Sequence, residues 1–308
     1  MNCQMRNLFA LLAVVLFTLV PGDLAEAGVA HRVSPEESNA ALRFWTPDRV
    51  AEAMRRDPMF GQIPSSVSVP GSSVTRNRPV RVFRPEVGKI LGWDRYGAYS
   101  CSGAVINTPS LRLILTAGHC VYYNDAWARK LLFIPNFHRG SRPYGTYRIK
   151  ASWVSNGWYR FAYGTLGMNY DIAILVTRRT WNGRRIGENV GAIDYQAFPA
   201  RRGVTDIYGY PAGAMRGRVM RTCRSHTRAD RYSARFVPGP TGILARCNMA
   251  GGSSGGPWVS RYRKPGGGTV GVIDGLTSTG FRAGGKAFLT SPYFGRILVS
   301  LIRSAEGR

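Results

Sequence analysis

The chain has 308 residues, of which 44% are hydrophobic, so it can bury one large core or two small ones. Its 42 basic residues outnumber 17 acidic ones and give a formal charge of +25, which favours anionic partners such as acidic polymers or membrane surfaces. The basic residues are dispersed and no nucleic-acid-binding module is recognisable, so we expect a solvated basic surface and no specific nucleic-acid partner.

Residues 1–27 have the pattern of a signal peptide. Arg6 precedes an apolar run over 8–20, and Ala25-Glu26-Ala27 fits a small-x-small cleavage site. A membrane anchor is the alternative, but the apolar run is short for a bilayer span. We therefore expect a secreted protein, either extracellular or periplasmic.

A helix is predicted close to the start of the secreted chain. Thr46-Pro47-Asp48 is typical of a helix start, because it combines an N-cap, a proline in the first turn and an acid near the helix N-terminus. Val50, Ala53 and Met54 offer a narrow apolar face, and Asp57-Pro58 is predicted to end the helix.

Residues 28–84 as a whole are predicted to be a pro-region. The stretch 62–81 is rich in serine, proline and glycine and has a poor hydrophobic pattern, which indicates a linker. We expect proteolytic removal somewhere between Pro70 and Val87. A permanent N-terminal extension is the alternative.

Short apolar or alternating segments follow, separated by glycine, proline, asparagine and serine. Many short strands with frequent turns favour an all-β barrel or sandwich. The strands predicted in the first half are 99–107, 111–116, 131–135, 147–154 and 172–177. Those predicted in the second half are 204–210, 219–224, 243–247, 257–262 and 270–278. A closing helix is predicted over 293–304, where apolar residues recur at helical spacing.

One stretch of the second half has the composition of a nucleophile turn. Gly251 to Trp258 is rich in glycine around two adjacent serines. The glycines let the chain turn sharply, expose Oγ of Ser254 and direct the N–H groups of Gly252 and Ser254 at one point, as a tetrahedral oxyanion requires. A hydroxyl also needs a base, and the base needs an orienting partner. Taken alone, the stretch fits a flexible Gly/Ser loop equally well.

Two further frames supply those partners. Leu115-Thr116-Ala117-Gly118-His119-Cys120 ends an apolar run with a histidine, and Tyr170-Asp171-Ile172-Ala173-Ile174-Leu175 opens one with an acid. His119, Asp171 and Ser254 thus follow the chain order His, Asp, Ser. On these frames the chain resembles the chymotrypsin-like serine peptidases, and more closely their secreted bacterial branch, which includes glutamyl endopeptidases.

The resemblance covers about residues 82–303 and implies an all-β fold of two packed six-stranded antiparallel β-barrels with a C-terminal helix. The serine peptidase domain would then occupy 85–308, with barrels at about 85–190 and 191–292. The resemblance also implies the roles: Ser254 is the nucleophile, His119 the general base and Asp171 its orienting acid. Ser253 takes the variable place in Gly-x-Ser-Gly-Gly-Pro, where animal relatives carry an aspartate that pairs with a new N-terminus.

Four cysteines remain once Cys3 leaves with the signal peptide, an even number in an oxidising compartment. They allow three pairings, of which the local one joins Cys101 to Cys120 and Cys223 to Cys247. The first of these pairs is also what the resemblance implies. A zinc site is the alternative, but no Cys-x-x-Cys or paired histidines accompany the cysteines, so we expect no metal and no cofactor.

Substrate-binding residues are expected in the stretch 275–280. Thr277, Ser278, Thr279 and Gly280 resemble the bacterial strand that holds the substrate backbone and walls the primary pocket. Glutamyl endopeptidases carry a histidine where Thr277 stands, which argues against specificity for glutamate. Arg221, Arg224 or His226 is the alternative receiver of an acidic side chain.

The function expected is that of a secreted, monomeric serine endopeptidase acting on proteins or peptides through an acyl-enzyme intermediate. The alternative is a catalytically silent basic binding protein on the same scaffold. An esterase is a third reading, but its Gly-x-Ser-x-Gly frame usually lies between a strand and a helix, and no such setting is evident around Ser254.

Overall fold

A computed structural model describes residues 28–59, 61–62, 78–79, 84–161, 166–212, 215–231, 238–249, 251–263 and 269–307. The predicted signal peptide lies outside these residues, as do most of the predicted linker and the predicted site of its cleavage. In the described ranges, every helix is too short or too polar to cross a membrane.

The N-terminal segment, residues 28–59, folds into short elements. Ser34 caps the first helix by accepting a hydrogen bond from the Glu37 N–H, and Thr46 caps the second through the Arg49 N–H. The second helix confirms the predicted start at Thr46, whereas the first was not predicted. The elements are β1 (Gly28–Arg32), α1 (Pro35–Phe44), α2 (Pro47–Ala53) and β2 (Arg56–Asp57). Two short strands follow, β3 (Gly61–Gln62) and β4 (Arg78–Pro79).

The first half of the following chain forms a closed antiparallel barrel. Its strands and helix are β5 (Val87–Asp94), β6 (Gly97–Val105), β7 (Leu113–Thr116), β8 (Tyr122–Tyr123), β9 (Ala126–Trp127), β10 (Arg129–Pro135), β11 (Tyr147–Ser155), α3 (Asn156–Phe161) and β12 (Ala173–Thr177). Strands pair in the order β11-β10-β5-β6-β7-β12, and β12 pairs back to β11 to close the barrel. Ile90, Leu115 and Ile174 are among its fully buried residues. Burial of such side chains stabilises each by about 1.5–3 kcal/mol.

The second half forms a curved sheet against the first. A short helix, α4 (Ile186–Val190), leads into β13 (Asp194–Tyr195), β14 (Gly203–Gly209), β15 (Arg221–Ala229), β16 (Ile243–Arg246), β17 (Pro257–Arg263), β18 (Thr269–Leu276), β19 (Gly280–Ala283) and β20 (Lys286–Ser291). The strand order is β13-β18-β17-β14-β15-β16-β20-β19. The predicted all-β architecture of two packed units is therefore confirmed. The first unit is the closed antiparallel barrel of six strands, whereas the second, in the described residues, is an open half-barrel sheet in which β13 pairs parallel with β18.

The chain ends in helix α5 (Arg296–Glu306), which packs on the first barrel through Leu298 and Leu301. It begins three residues later than predicted. Phe294 is fully buried before the helix, and Gly295 serves as N-cap, so Tyr293 and Phe294 belong to the connecting loop. Gly307, in the left-handed conformation, ends the helix.

The N-terminal segment is joined to the first barrel along its whole length. Strand β1 pairs antiparallel with β11, from Gly28 opposite Ser155 to Arg32 opposite Ala151. The indole N–H of Trp45 donates to the Lys130 carbonyl at 2.6 Å. These contacts carry the chain to the face where the two halves of the molecule meet.

Candidate active site

His119 lies in a single turn of 3-10 helix, Gly118–Cys120, directly after β7. A Cβ at residue 118 would lie 2.7 Å from the Trp158 ring, so only glycine fits beneath that indole. Cys120 is joined to Cys101 of β6 by a disulfide with an S–S distance of 2.01 Å. The turn that carries the imidazole is therefore fixed to the barrel on both sides.

Asp171 precedes β12 and reaches the histidine with both carboxylate oxygens. Oδ1 accepts the backbone N–H of His119 at 2.8 Å, and Oδ2 lies 2.8 Å from His119 Nδ1. Because a carboxylate oxygen only accepts, Nδ1 carries the hydrogen and Nε2 is the basic nitrogen. Ser278 Oγ also donates to Asp171 Oδ2, at 2.5 Å. Both Asp171 and His119 are buried.

The surroundings of His119 set its proton affinity. Burial acts to lower the pKa of the imidazole, but the nearby Asp171 carboxylate, its hydrogen bond and the more distant Asp57 together raise that pKa above 6.5. Nε2 is buried and has no hydrogen-bond partner in the described part of the chain. The imidazole is thus oriented and made more basic while its second nitrogen stays open to a new partner.

Ser254 sits in a turn that only glycines can form. Gly252 and Gly255 have φ of +87° and +78°, and a Cβ on Gly255 would lie 2.0 Å from Thr116 Oγ1. Strand β6 of the first barrel holds this turn: the Ser102 N–H donates to the Ser254 carbonyl at 2.7 Å, and Ser102 Oγ to the Gly252 carbonyl at 2.8 Å. The serine of the second half is thereby fixed against the histidine of the first.

A residue from the N-terminal segment fills the space between these groups. Asp57 is fully buried, and its Oδ2 accepts from both the Gly252 N–H and Ser254 Oγ, each at 2.8 Å. Its Oδ1 lies 3.9 Å from His119 Nε2. The Ser254 hydroxyl therefore donates to Asp57 rather than to His119, and one carboxylate touches both groups.

Sequence reasoning assigned Asp57 only to the end of a helix. The structure corrects this assignment, because α2 already ends at Ala53 and Asp57 lies in strand β2. No local sequence pattern predicts the contact between Asp57 and Ser254, because the two residues are 197 positions apart in the sequence. The signal available was weaker: an acid in a segment that is predicted to be removed.

Ser278 was expected among the residues that bind substrate. Its side chain donates to Asp171, as described above, and its N–H donates to the Thr290 carbonyl at 2.9 Å. Thr277 Oγ1 accepts a hydrogen bond from the indole N–H of Trp258 at 3.0 Å, so this side chain also has a partner within the protein. Thr279 Oγ1 bonds Thr290 Oγ1 at 2.7 Å. Gly280, exposed at the start of β19, has no side chain to offer.

The two disulfides join the predicted partners. Cys223 of β15 is bonded to Cys247, just after β16, so this pair links adjacent strands of the second half.

The disulfide between Cys101 and Cys120 also bears on metal binding. Cys101, His119 and Cys120 bring ligand-type atoms within 4.8 Å of one another. Their sulfurs are oxidised, however, and a disulfide offers no thiolate to a metal ion.

No family model matches the chain. Among curated proteins, the extracellular metalloprotease of Bacillus subtilis (strain 168) is 27% identical over 143 residues, which are 45% of this chain and 42% of that protein. The match thus spans less than half the length of that relative. Its name calls it a metalloprotease.

Solved structures match over most of the chain. The protease Anisep from Arthrobacter nicotinovorans is 27% identical, with a TM-score of 0.64 over 75% of this chain and 100% of that one. The thermostable serine protease AL20 from an extremophilic microorganism is 24% identical, with a TM-score of 0.62 over 73% of this chain and 99% of that one. A Glu endopeptidase is 20% identical, with a TM-score of 0.57 over 78% of this chain and 100% of that one.

Proposed function

The chain is related to the chymotrypsin-like serine proteases, and we propose that it is a secreted endopeptidase that hydrolyses peptide bonds through His119, Asp171 and Ser254. One observation carries the proposal. Asp171 fixes the imidazole through Nδ1, and Nε2 and the Ser254 hydroxyl both face the same carboxylate of Asp57. A peptide group in place of that carboxylate would meet nucleophile and base together.

The reaction follows from these positions once Asp57 has left. Ser254 Oγ attacks the peptide carbonyl carbon while its proton passes to His119 Nε2. The carbonyl oxygen becomes an oxyanion, held by the N–H groups of Gly252 and Ser254. His119 then gives the proton to the leaving amine as the C–N bond breaks. Water, activated by the same nitrogen, hydrolyses the acyl-enzyme.

The substrate class we propose is protein or peptide, bound with its backbone along residues 277–280. The exposed Gly280 leaves room for a main chain to approach the start of β19. We propose that the protein acts outside the cytoplasm as a monomer, which fits the two disulfides. Its positive charge would bring it to anionic surfaces or polymers.

Residues 28–84, which include the N-terminal segment, are proposed to be a pro-region that is cut from residues 85–308. Asp57 lies where a substrate has to bind, so the intact chain would be a zymogen. Ser253 cannot form an ion pair with a new N-terminus, as an aspartate would. Activation in this chain would therefore consist of uncovering the cleft.

A labelling experiment tests the proposed function. The full chain is cut in the linker and freed of its N-terminal fragment, which gives the trimmed form. We expect a fluorophosphonate to label the trimmed form on Ser254, as located by mass spectrometry, and a protein substrate to be cleaved. Ser254→Ala should abolish both, whereas the neighbouring Ser253→Ala should keep the label. A folded trimmed form that stays unlabelled would support the basic binding protein instead.

A further inference from the structure

Asp57 shares one contact with the expected reaction intermediate, the hydrogen bond from the Gly252 N–H. Oδ2 receives two hydrogen bonds at 2.8 Å, one from the Gly252 N–H and one from the nucleophile itself. The Gly252 N–H is one of the two donors assigned to the oxyanion. A carboxylate oxygen at this point presents negative charge where charge develops during catalysis, and bonds to charged acceptors are the stronger kind.

We propose that Asp57 is a built-in inhibitor whose carboxylate occupies the oxyanion site. The proposal rests on the proposed function, because it assigns a role to a group bound at the same site. Two effects follow from the geometry. The Ser254 hydroxyl is tied to Asp57 Oδ2, so its proton does not point to His119. The space for a substrate carbonyl is filled at the same time.

Arg56 anchors the inhibitor. Its guanidinium donates to the Ala98 carbonyl through Nε at 3.1 Å and to the Gly97 carbonyl through Nη2 at 2.8 Å, and Nη2 lies 2.5 Å from Asp94 Oδ1. Only 5% of its side chain is exposed. Because Arg56 is adjacent to Asp57 in β2, this anchor fixes the carboxylate at the catalytic centre.

Cutting the linker alone would leave the inhibitor in place. Strand β1 stays paired with β11, and Trp45 stays bonded to the Lys130 carbonyl, whether or not the chain continues past residue 62. Activation is therefore a cut followed by dissociation. Before the cut, tethering gives Asp57 an effective concentration on the order of millimolar or more at its site.

The full-length chain is the right material for the test. Its uncut state is verified by intact mass, and the rate of fluorophosphonate labelling at Ser254 is measured for wild type, Asp57→Ala and Asp57→Asn. We expect at least a tenfold faster rate in both variants, and more in the alanine variant, because asparagine keeps an acceptor oxygen but no charge. Asp48→Asn, which removes an exposed acid from α2, should label at the wild-type rate.

Each outcome bears on a different statement. If the trimmed form labels quickly and both uncut Asp57 variants label as slowly as wild type, the inhibitor proposal is wrong and the proposed function stands. If the trimmed form does not label at all, the proposed function fails first. Circular dichroism of the asparagine variant, which keeps the shape of the side chain, guards against a loss of fold being mistaken for release.

The contacts of Arg56 support a second inference that is independent of Asp57. Asp94, two carbonyls and the ring of Tyr99, 5.5 Å from the guanidinium carbon, together form a site shaped for a planar cation. All of these groups belong to residues 94–99 and stay behind when the pro-region leaves. We infer that in the trimmed form this pocket is a subsite for a basic side chain of the substrate.

A peptide library resolves that inference. The trimmed form should favour arginine over its neutral analogue citrulline at one position near the cleaved bond, with about a tenfold lower KM and an unchanged kcat. Asp94→Asn should remove this preference, and Asp194→Asn, which alters an exposed acid elsewhere, should keep it. Equal cleavage of the arginine and citrulline peptides at every position would overturn the inference.

Discussion

Two buried aspartates flank the same imidazole, and they differ in where their hydrogen-bond donors come from. Asp171 is held by the His119 backbone, the His119 ring and Ser278, groups that belong to the two barrels. Asp57 accepts hydrogen bonds from the Gly252 N–H and the Ser254 hydroxyl, groups that the proposed reaction requires, and from the Met59 N–H of its own segment. The first aspartate completes the site, and the second one occupies it.

The difference teaches that burial and close contact with the proposed catalytic histidine do not by themselves identify a member of the proposed triad. Asp171 touches the nitrogen that must stay protonated, and Asp57 approaches the nitrogen that must accept a proton. Replacing the Asp171 carboxylate with a neutral group would therefore impair the proposed reaction, whereas the same replacement at Asp57 would relieve the proposed inhibition. The same chemical change at two carboxylates has opposite expected signs.

The largest loss of activity is expected from replacing Ser254 or His119, the proposed nucleophile and base. In the trimmed form, Ser254→Ala or His119→Ala should lower kcat by about 10⁶-fold, because the nucleophile or its base is lost. Rates of peptide hydrolysis by the purified variants measure this. The double variant should be no slower than either single one, since the two residues act as a unit. Additive losses would mean that they do not share one step.

Much of this site could be predicted from local sequence. The turns around His119 and Ser254 require glycine for steric reasons, and these glycines can be read directly in the sequence. One glycine lies beneath the Trp158 ring, and glycines with positive φ lie on both sides of the serine. The chain order and the apolar runs then placed the three groups in two halves that had to meet. The helix at Thr46 was likewise predictable from its cap.

Strand β5 was missed because its sequence does not look like a strand. Gly88 and Gly92 stand where a Cβ would lie 2.4 Å from the Phe133 ring and 2.3 Å from the Tyr99 ring, so tertiary packing demands glycine there. Lys89 interrupts the apolar run although it is fully buried, and burial lowers its pKa to about 7. Neither requirement is visible until the barrel is closed.

The roles of Ser278 and Asp57 could not be predicted for a related reason. Each depends on one hydrogen bond across more than a hundred positions, from Ser278 to Asp171 and from Ser254 to Asp57. The family resemblance placed Ser278 beside the substrate, and local pattern placed Asp57 at the end of a helix, although it lies in β2. Long-range pairing of single polar atoms leaves no periodic signal in a sequence.

The second-largest effect sharpens the contrast between the two acids. Asp171→Asn in the trimmed form should reduce kcat by about 10⁴-fold, since an amide in place of the carboxylate favours the wrong imidazole tautomer. Steady-state hydrolysis gives the value. The same substitution at Asp57 in the uncut chain should raise the labelling rate. Two losses, or two gains, would break the distinction between an acid that completes the site and one that occupies it.

A smaller effect is expected from the support of Asp171. Ser278→Ala removes a buried hydrogen bond to a carboxylate and should lower kcat about tenfold, because Asp171 then holds the ring less well. Ser278→Thr keeps a hydroxyl and should recover most of the rate. If the threonine variant is as slow as alanine, the space around residue 278 matters more than its hydrogen bond, and Ser278 is not a positioning residue.

The smallest effect is a dependence of inhibition on pH. Asp57 and Asp171 are the two charged groups that face His119 in the described structure, and their attraction raises its pKa above 6.5 although burial opposes this. Asp57 therefore binds more tightly while the imidazole is protonated. Because the Asp57 charge by itself raises the pKa of His119, this contribution is complete below the pKa that the histidine has without Asp57 and is lost as pH rises through the pKa that it has with Asp57.

The measurement is the ratio of labelling rates, uncut chain over trimmed form, because the ratio cancels the need of the reaction itself for a neutral His119. We expect the ratio to rise a few-fold as pH increases above about 6.5, since Asp57 loses its charged partner. In Asp57→Asn the ratio should be flat, because asparagine carries no charge for the imidazole to attract. If the ratio still depends on pH in this variant, the pH-dependent contact lies elsewhere in the N-terminal segment. Asp57 would then inhibit through its hydrogen bonds and not through its charge.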